Sequence, residues 1–234
     1  MPLTDITLHS RYLGTTEKLI VYTPERYSPL YSYPVLYVQD GDAYLSMCRF
    51  ATTLDELIER RELPDLIAVF LPVETEKRMA RYHPDGAEHI AYRRFLAEEV
   101  VGYMDGHYAT QPLGSARTLV GVSLGAVVSL FTALAYPHTF GQVASQSMAM
   151  DQELNRRVAE TDIPVPLFLY MEVGTEETAV ETKRGLLDLV AANEELRDIL
   201  QPKMVTLVYE TFAGDHAWSH WQTNLPRMLK AVCG

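Results

Sequence analysis

Long apolar runs, cysteine and basic charge are all scarce in this chain of 234 residues, and each scarcity removes a class of function. No stretch reaches the ~18 apolar residues that a membrane span needs. The chain also does not open on a basic segment followed by an apolar one, so no secretory leader is expected. Cys48 and Cys233 stand far apart, too few for a disulfide framework and without metal-ligand spacing. They read as buried or inert thiols of a protein kept in the reducing cytoplasm. With 20 basic residues against 31 acidic and a formal net charge of −11, the chain opposes the counterion release that drives binding to phosphate backbones. Neither nucleic acid nor membrane is therefore an expected partner. No Gly-, Ser-, Gln- or Pro-rich tract marks a linker, and no internal repeat appears.

What is present is ordinary globular usage, 47% hydrophobic and 22% charged, at a length that suits one large α/β domain over residues 1–234. Short apolar runs recur at Val35–Val38, Leu66–Leu71, Thr118–Val122, Val143–Ser145, Leu167–Tyr170 and Val205–Tyr209. Continuous runs, rather than in-and-out alternation, belong to strands covered on both faces. Helical patterns fall between them. Tyr92, Phe95, Leu96, Val100, Tyr103 and Met104 recur every three or four residues along one face. Further helices are expected over about Ala43–Arg61, Leu124–Tyr136, Val180–Leu200 and His216–Val232. Ile6–Leu13 and Lys18–Tyr22, joined through Gly14-Thr15-Thr16, suggest an antiparallel hairpin at one edge. The alternation predicts an α/β fold: a mostly parallel central sheet of roughly eight strands with helices on both faces and no large lid domain.

Gly121-Val122-Ser123-Leu124-Gly125 matches G-x-S-x-G, the nucleophile elbow of α/β-hydrolases. There a sharp strand-to-helix turn lifts a serine above the carboxyl edge of the sheet. The pattern alone recurs by chance, but here an apolar strand leads into the serine and a helix-forming run leaves it. A serine hydroxyl needs a base, and the base needs an orienting acid. Only His216 and His220 follow the last predicted strand, and His216 comes first. Their spacing of four also suits a metal-binding helix face, but no third ligand is evident, so no metal or other cofactor is expected. The acid should follow the strand at Leu167–Val173, where Glu176 and Glu177 stand together; Glu177 is preferred, with Glu176 and Asp215 as alternatives. Leu124 N–H is one candidate donor for the oxyanion, and Asp42 N–H, after the Asp40-Gly41 turn, is the second. Arg78 and Arg81 could meet an acidic substrate, but such arginines more often pair with nearby acids such as Glu74 or Glu76. Trp218 and Trp221 could line an acyl pocket or pack the histidine loop.

With these residues in place, the chain resembles the esterase family that includes enterochelin esterases, esterase D and the mycolyltransferases. The resemblance spans nearly the whole chain. It is carried by Pro34-Val35-Leu36-Tyr37 running into Asp40-Gly41, by the elbow, by Gly174-Thr175-Glu176-Glu177, and by Gly214-Asp215-His216-Ala217-Trp218 with Trp221. It implies an acid three residues beyond the strand-ending glycine, at Glu177, and an oxyanion donor two residues after the Asp of Asp-Gly, at Asp42. Ala126 and Asp215 depart from glycines common in the family, which leaves any member's specificity behind. A serine hydrolase acting on a small-molecule ester is the resulting expectation. An acyltransferase using the same acyl-enzyme and a catalytically inert binding module are the alternatives, and a homodimer is compatible with the sequence.

Overall fold

The computed structural model describes residues 3–234. Strand β1 (Leu3–His9) turns through Ser10–Thr15 into β2 (Thr16–Tyr22), the expected antiparallel hairpin. After it come β3 (Val35–Gln39), α1 (Gly41–Met47), α2 (Phe50–Glu59), β4 (Ile67–Leu71) and α3 (Arg78–Tyr82). Next, α4 (His89–Arg94) runs through a π-helical turn at Phe95–Val100 into α5 (Val101–His107). The remaining elements are β5 (Arg117–Val122), α6 (Leu124–Ala135), β6 (Gln142–Gln146), α7 (Gln152–Glu160), β7 (Leu167–Gly174), β8 (Val180–Thr182), β9 (Gly185–Leu187), α8 (Leu189–Leu200), β10 (Val205–Phe212) and α9 (Trp218–Cys233).

Eight strands form one sheet in the order β1-β2-β4-β3-β5-β6-β7-β10. From β4 to β10 all pairings are parallel, whereas β1 with β2 and β2 with β4 are antiparallel. Every residue of β3, β4 and β5 is buried, as the unbroken apolar runs require. Successive residues serve opposite faces: Leu119 joins one core with Tyr92, Phe95, Val127 and Leu196, while Val120 and Val122 join the other with Tyr44, Leu54, Leu225 and Met228. Helices α1, α2 and α9 thus cover one face of the sheet and α3 to α8 the other. Strand order reverses between β3 and β5, which opens a crevice at their carboxyl ends, the place where ligands of such sheets collect.

Three helices differ from the sequence expectation. The helix expected over Ala43–Arg61 is broken at Cys48 and Arg49, where Arg49 takes a left-handed conformation (φ 53). The reversal lets Phe50 pack edge-on against both Tyr44 and Phe70, an aromatic contact that outweighs continuity of the helix. The helix expected over Val180–Leu200 begins only at Leu189, because 180–187 fold back as the β8–β9 hairpin. Gly185 (φ 100) permits that turn, and Arg184 ties it to Asp151 and to the carbonyl of Ala149. The last helix starts at Trp218 rather than His216, which leaves His216 in a loop. Among the described residues no helix is long and apolar enough to cross a membrane.

Candidate active site

Ser123 sits between β5 and α6 with φ 53 and ψ −120, a conformation that side chains rarely adopt and that persists only where its surroundings enforce it. Its N–H donates to the carbonyl of Gln146 at 2.9 Å, and its own carbonyl accepts from the Ala149 N–H at 3.1 Å. The flanking glycine is a steric necessity: a Cβ on Gly121 would lie 2.3 Å from the Gly125 carbonyl carbon. Strand β5 therefore enters the turn, and α6 leaves it, at a separation only glycine allows.

The loop after β10 carries His216 to the same edge of the sheet. Its Nε2 lies 3.0 Å from Ser123 Oγ and its Nδ1 lies 2.6 Å from Glu177 Oε2. With Nδ1–H donated to the carboxylate, Nε2 is left to accept the serine proton. Of the neighbouring acids, the structure brings Glu177 to the ring. Glu176 points to solvent, and exposed Asp215 pairs instead with His220 at 3.1 Å. Glu177 is fully buried, and its second oxygen, Oε1, accepts from Ser147 Oγ at 2.7 Å and from the Gly174 N–H at 2.8 Å. Trp221 packs edge-on against His216 at 4.8 Å between ring centres and donates its Nε1–H to Ser147 Oγ at 2.8 Å. Ser147 thus links acid and indole. Sequence reasoning missed it, although its place one residue beyond β6, beside the elbow strand, was a usable signal.

Both candidate oxyanion donors lie in the first turns of helices. The first bond back along α1 runs from Tyr44 N–H to Asp40 O, and the first along α6 from Ala126 N–H to Ser123 O. The amides of Asp42 and Leu124 therefore precede the hydrogen-bonded ladder and have no carbonyl within their own helices. Both residues line cavities that meet at Ser123 and His216. One cavity, of about 250 Å³, is bounded by Leu124, Ala149 and the β8–β9 hairpin residues 181–184. The other, of about 380 Å³, is bounded by Asp42, Ala43, Val73 and the two tryptophans. Thr75, which the sequence did not single out, borders both.

Trp218 packs edge-on against Tyr44 and Trp221 and also borders the larger cavity. Both arginines pair with acids, as expected, though not with Glu74 or Glu76. Arg81 is 2% exposed and spends its guanidinium on Glu17 and Glu88, so it is out of a substrate's reach. Arg78 borders both cavities but pairs with Asp40 rather than with Glu74 or Glu76; Glu74 is taken by Lys77.

A second buried carboxylate, Glu172 on β7, braces the scaffold beneath. It accepts from Gln146 Nε2 (2.7 Å), Tyr170 OH (2.7 Å) and Arg227 Nη2 (3.0 Å). The same Gln146 nitrogen also reaches the carbonyl of Trp221, and Gln146 Oε1 accepts from Tyr44 OH. Strands β6 and β7 are thereby tied to α1 and α9, the helices that carry Asp42 and the histidine loop. Burial pushes the Cys48 and Cys233 thiols up to about 12, so neither is a competing nucleophile. Among the described residues, no cluster of three or more His, Cys, Asp or Glu side chains is arranged to hold a metal ion.

Comparison with known proteins adds a family. The family described as Putative esterase matches residues 10–232. The Bacillus subtilis (strain 168) protein YjcH, itself uncharacterized, is 40% identical over 225 residues, 95% of this chain and 94% of that one. Among solved structures, the enterobactin esterase FES of Shigella flexneri superposes with a TM-score of 0.83 at 20% identity, covering 99% of this chain. The match spans 59% of the FES chain. A ferulic acid esterase superposes with a TM-score of 0.78 at 16% identity, over 99% of this chain and 97% of its own. At such identities the structural likeness is one of fold.

Proposed function

The chain belongs to the esterase family of carboxylic ester hydrolases, and we propose that it works through Ser123 as nucleophile, His216 as general base and acid, and Glu177 as the group that orients and stabilises the imidazole. His216 Nε2 takes the hydroxyl proton as Ser123 Oγ attacks the ester carbonyl, and the carbonyl oxygen becomes an oxyanion. The amides of Leu124 and Asp42 hold that charge, each such donor contributing ~3 kcal/mol. The imidazolium passes its proton to the departing alcohol. Water then enters, gives its proton to His216 and attacks the acyl-enzyme. Collapse of the second tetrahedral intermediate returns that proton to Ser123 and releases the acid. Glu177 stays ionised throughout.

The observation that carries this reading is the unbroken hydrogen-bond line from Ser123 Oγ through both nitrogens of His216 to Glu177, at 3.0 and 2.6 Å. The two cavities meeting at the serine offer separate room for the acyl and alcohol sides of a small-molecule ester. The free thiols of Cys48 and Cys233 fit the cytoplasm as its place of work. The test is hydrolysis of p-nitrophenyl acetate by the wild type and by Ser123→Ala and His216→Ala. Each substitution should lower kcat by ~10³-fold or more, and a Ser123→Ala enzyme of undiminished activity would reject the reading.

A further inference from the structure

Asp40 is an ionisable side chain buried against the elbow itself. It is 5% exposed, and its Oδ2 would lie 2.6 Å from a Cβ placed on Gly125. Its backbone takes a left-handed conformation (φ 52, ψ 42) that opens α1, and its N–H donates to Tyr82 OH at 3.2 Å. The carboxylate is therefore held beside the first turns of α1 and α6, the turns that present the Asp42 and Leu124 amides. Helix N-termini favour negative charge, so an ionised Asp40 competes there with the oxyanion. Arg78 closes on this carboxylate with two hydrogen bonds, Nε to Oδ1 at 2.7 Å and Nη2 to Oδ2 at 2.9 Å. Its guanidinium also lies over the Tyr82 ring, 5.6 Å from the centroid.

We infer that Arg78 is a positioning residue for the oxyanion hole: it cancels the Asp40 charge beside the developing oxyanion and holds the left-handed turn that aims the Asp42 amide. The inference rests on the Ser123 reading. A paired planar fork fixes both carboxylate oxygens, which a single lysine ammonium would not do. A role in gripping substrate fits the geometry less well, because two of the three guanidinium nitrogens are already committed to Asp40. Burial raises the Asp40 pKa and Arg78 opposes that rise, which agrees with a carboxylate that depends on its partner to stay ionised.

The experiment uses the full chain, an uncharged ester (p-nitrophenyl butyrate) and an uncharged trifluoromethyl ketone that adds to the serine as an oxyanion. Arg78→Gln should lower kcat on the order of tenfold, leave KM within about twofold, and weaken the ketone by the same factor as kcat/KM. Adding Asp40→Asn to that variant should recover most of the loss, since the uncompensated charge is gone. A rise in KM with unchanged kcat, or a double variant no better than Arg78→Gln, overturns the inference. Should Arg78→Gln fail to fold, the double variant is compared with Asp40→Asn alone. The inference requires a small cost for Arg78→Gln in that background, and a cost of about tenfold contradicts it. Phosphonate labelling of the wild type at Ser123 separates the two levels: no adduct removes the Ser123 reading, whereas an adduct with a flat variant series removes only the role of Arg78.

Discussion

Ser147 Oγ donates to Glu177 Oε1 at 2.7 Å, and so leaves Glu177 Oε2 for His216. The carboxylate cannot rotate without giving up this bond and the one from Gly174. Ser147 itself is held at φ 48, and it shares left-handed backbone with Asp40 and Ser123, all three at the carboxyl edge of the sheet. Strain of this kind gathers where function requires a side chain to be aimed.

Ser147→Ala removes one donor from the buried carboxylate and strands the Trp221 Nε1–H. The variant should lose ~1–3 kcal/mol of stability in urea unfolding. Its kcat for p-nitrophenyl acetate should fall several-fold with little change in KM, because aim is lost rather than binding. An unchanged kcat would mean that Gly174 alone suffices to hold the acid.

Glu177 and Glu176 are adjacent in sequence but opposite in environment, one fully buried and one exposed. Glu177→Gln should lower kcat by ~10²- to 10⁴-fold, because the amide favours the wrong imidazole tautomer and offers no charge to the cation. Glu176→Gln should stay within about twofold of wild type. Steady-state kinetics of the two variants side by side decides the assignment, and the opposite ranking would move the acid to Glu176.

His89 governs stability rather than chemistry. It is 2% exposed, its Nδ1 lies 3.1 Å from the carbonyl of Arg81, and its Nε2 has no partner. Burial, aided by nearby Arg93, lowers its pKa from the ordinary 6.5 to about 4. Because the folded value lies below the unfolded one, the unfolded chain takes up a proton first as pH falls. The contribution of neutral His89 is complete above pH ~6.5 and is lost progressively down to pH ~4, by up to ~3 kcal/mol. Urea midpoints of wild type and His89→Asn across this interval should show the steeper acid decline in the wild type. Equal slopes would contradict the assignment.

The central strands and the elbow were legible in sequence because burial on both faces leaves continuous apolar runs, and because Gly121 and Gly125 are sterically required. His216 was legible from chain order alone. The β8–β9 hairpin was not, since Val180, Leu186 and Leu187 mimic one face of a helix and only Gly185 signals the turn. The break at Arg49 was equally silent: no glycine or proline marks it, and its cause is a tertiary contact between Phe50, Tyr44 and Phe70. Pairing of Arg78 with an acid was legible in the sequence, but its partner was not. Asp40 lies far from it in sequence, and only the fold brings the two together.

The most direct test of the account is to treat the protein with a fluorophosphonate, measure its intact mass, and map the adduct by peptide sequencing. One phosphonyl group per chain, on Ser123 and absent from Ser123→Ala, is the predicted result. A stoichiometric adduct on any other residue, or ester hydrolysis that continues while Ser123 is fully modified, would contradict it.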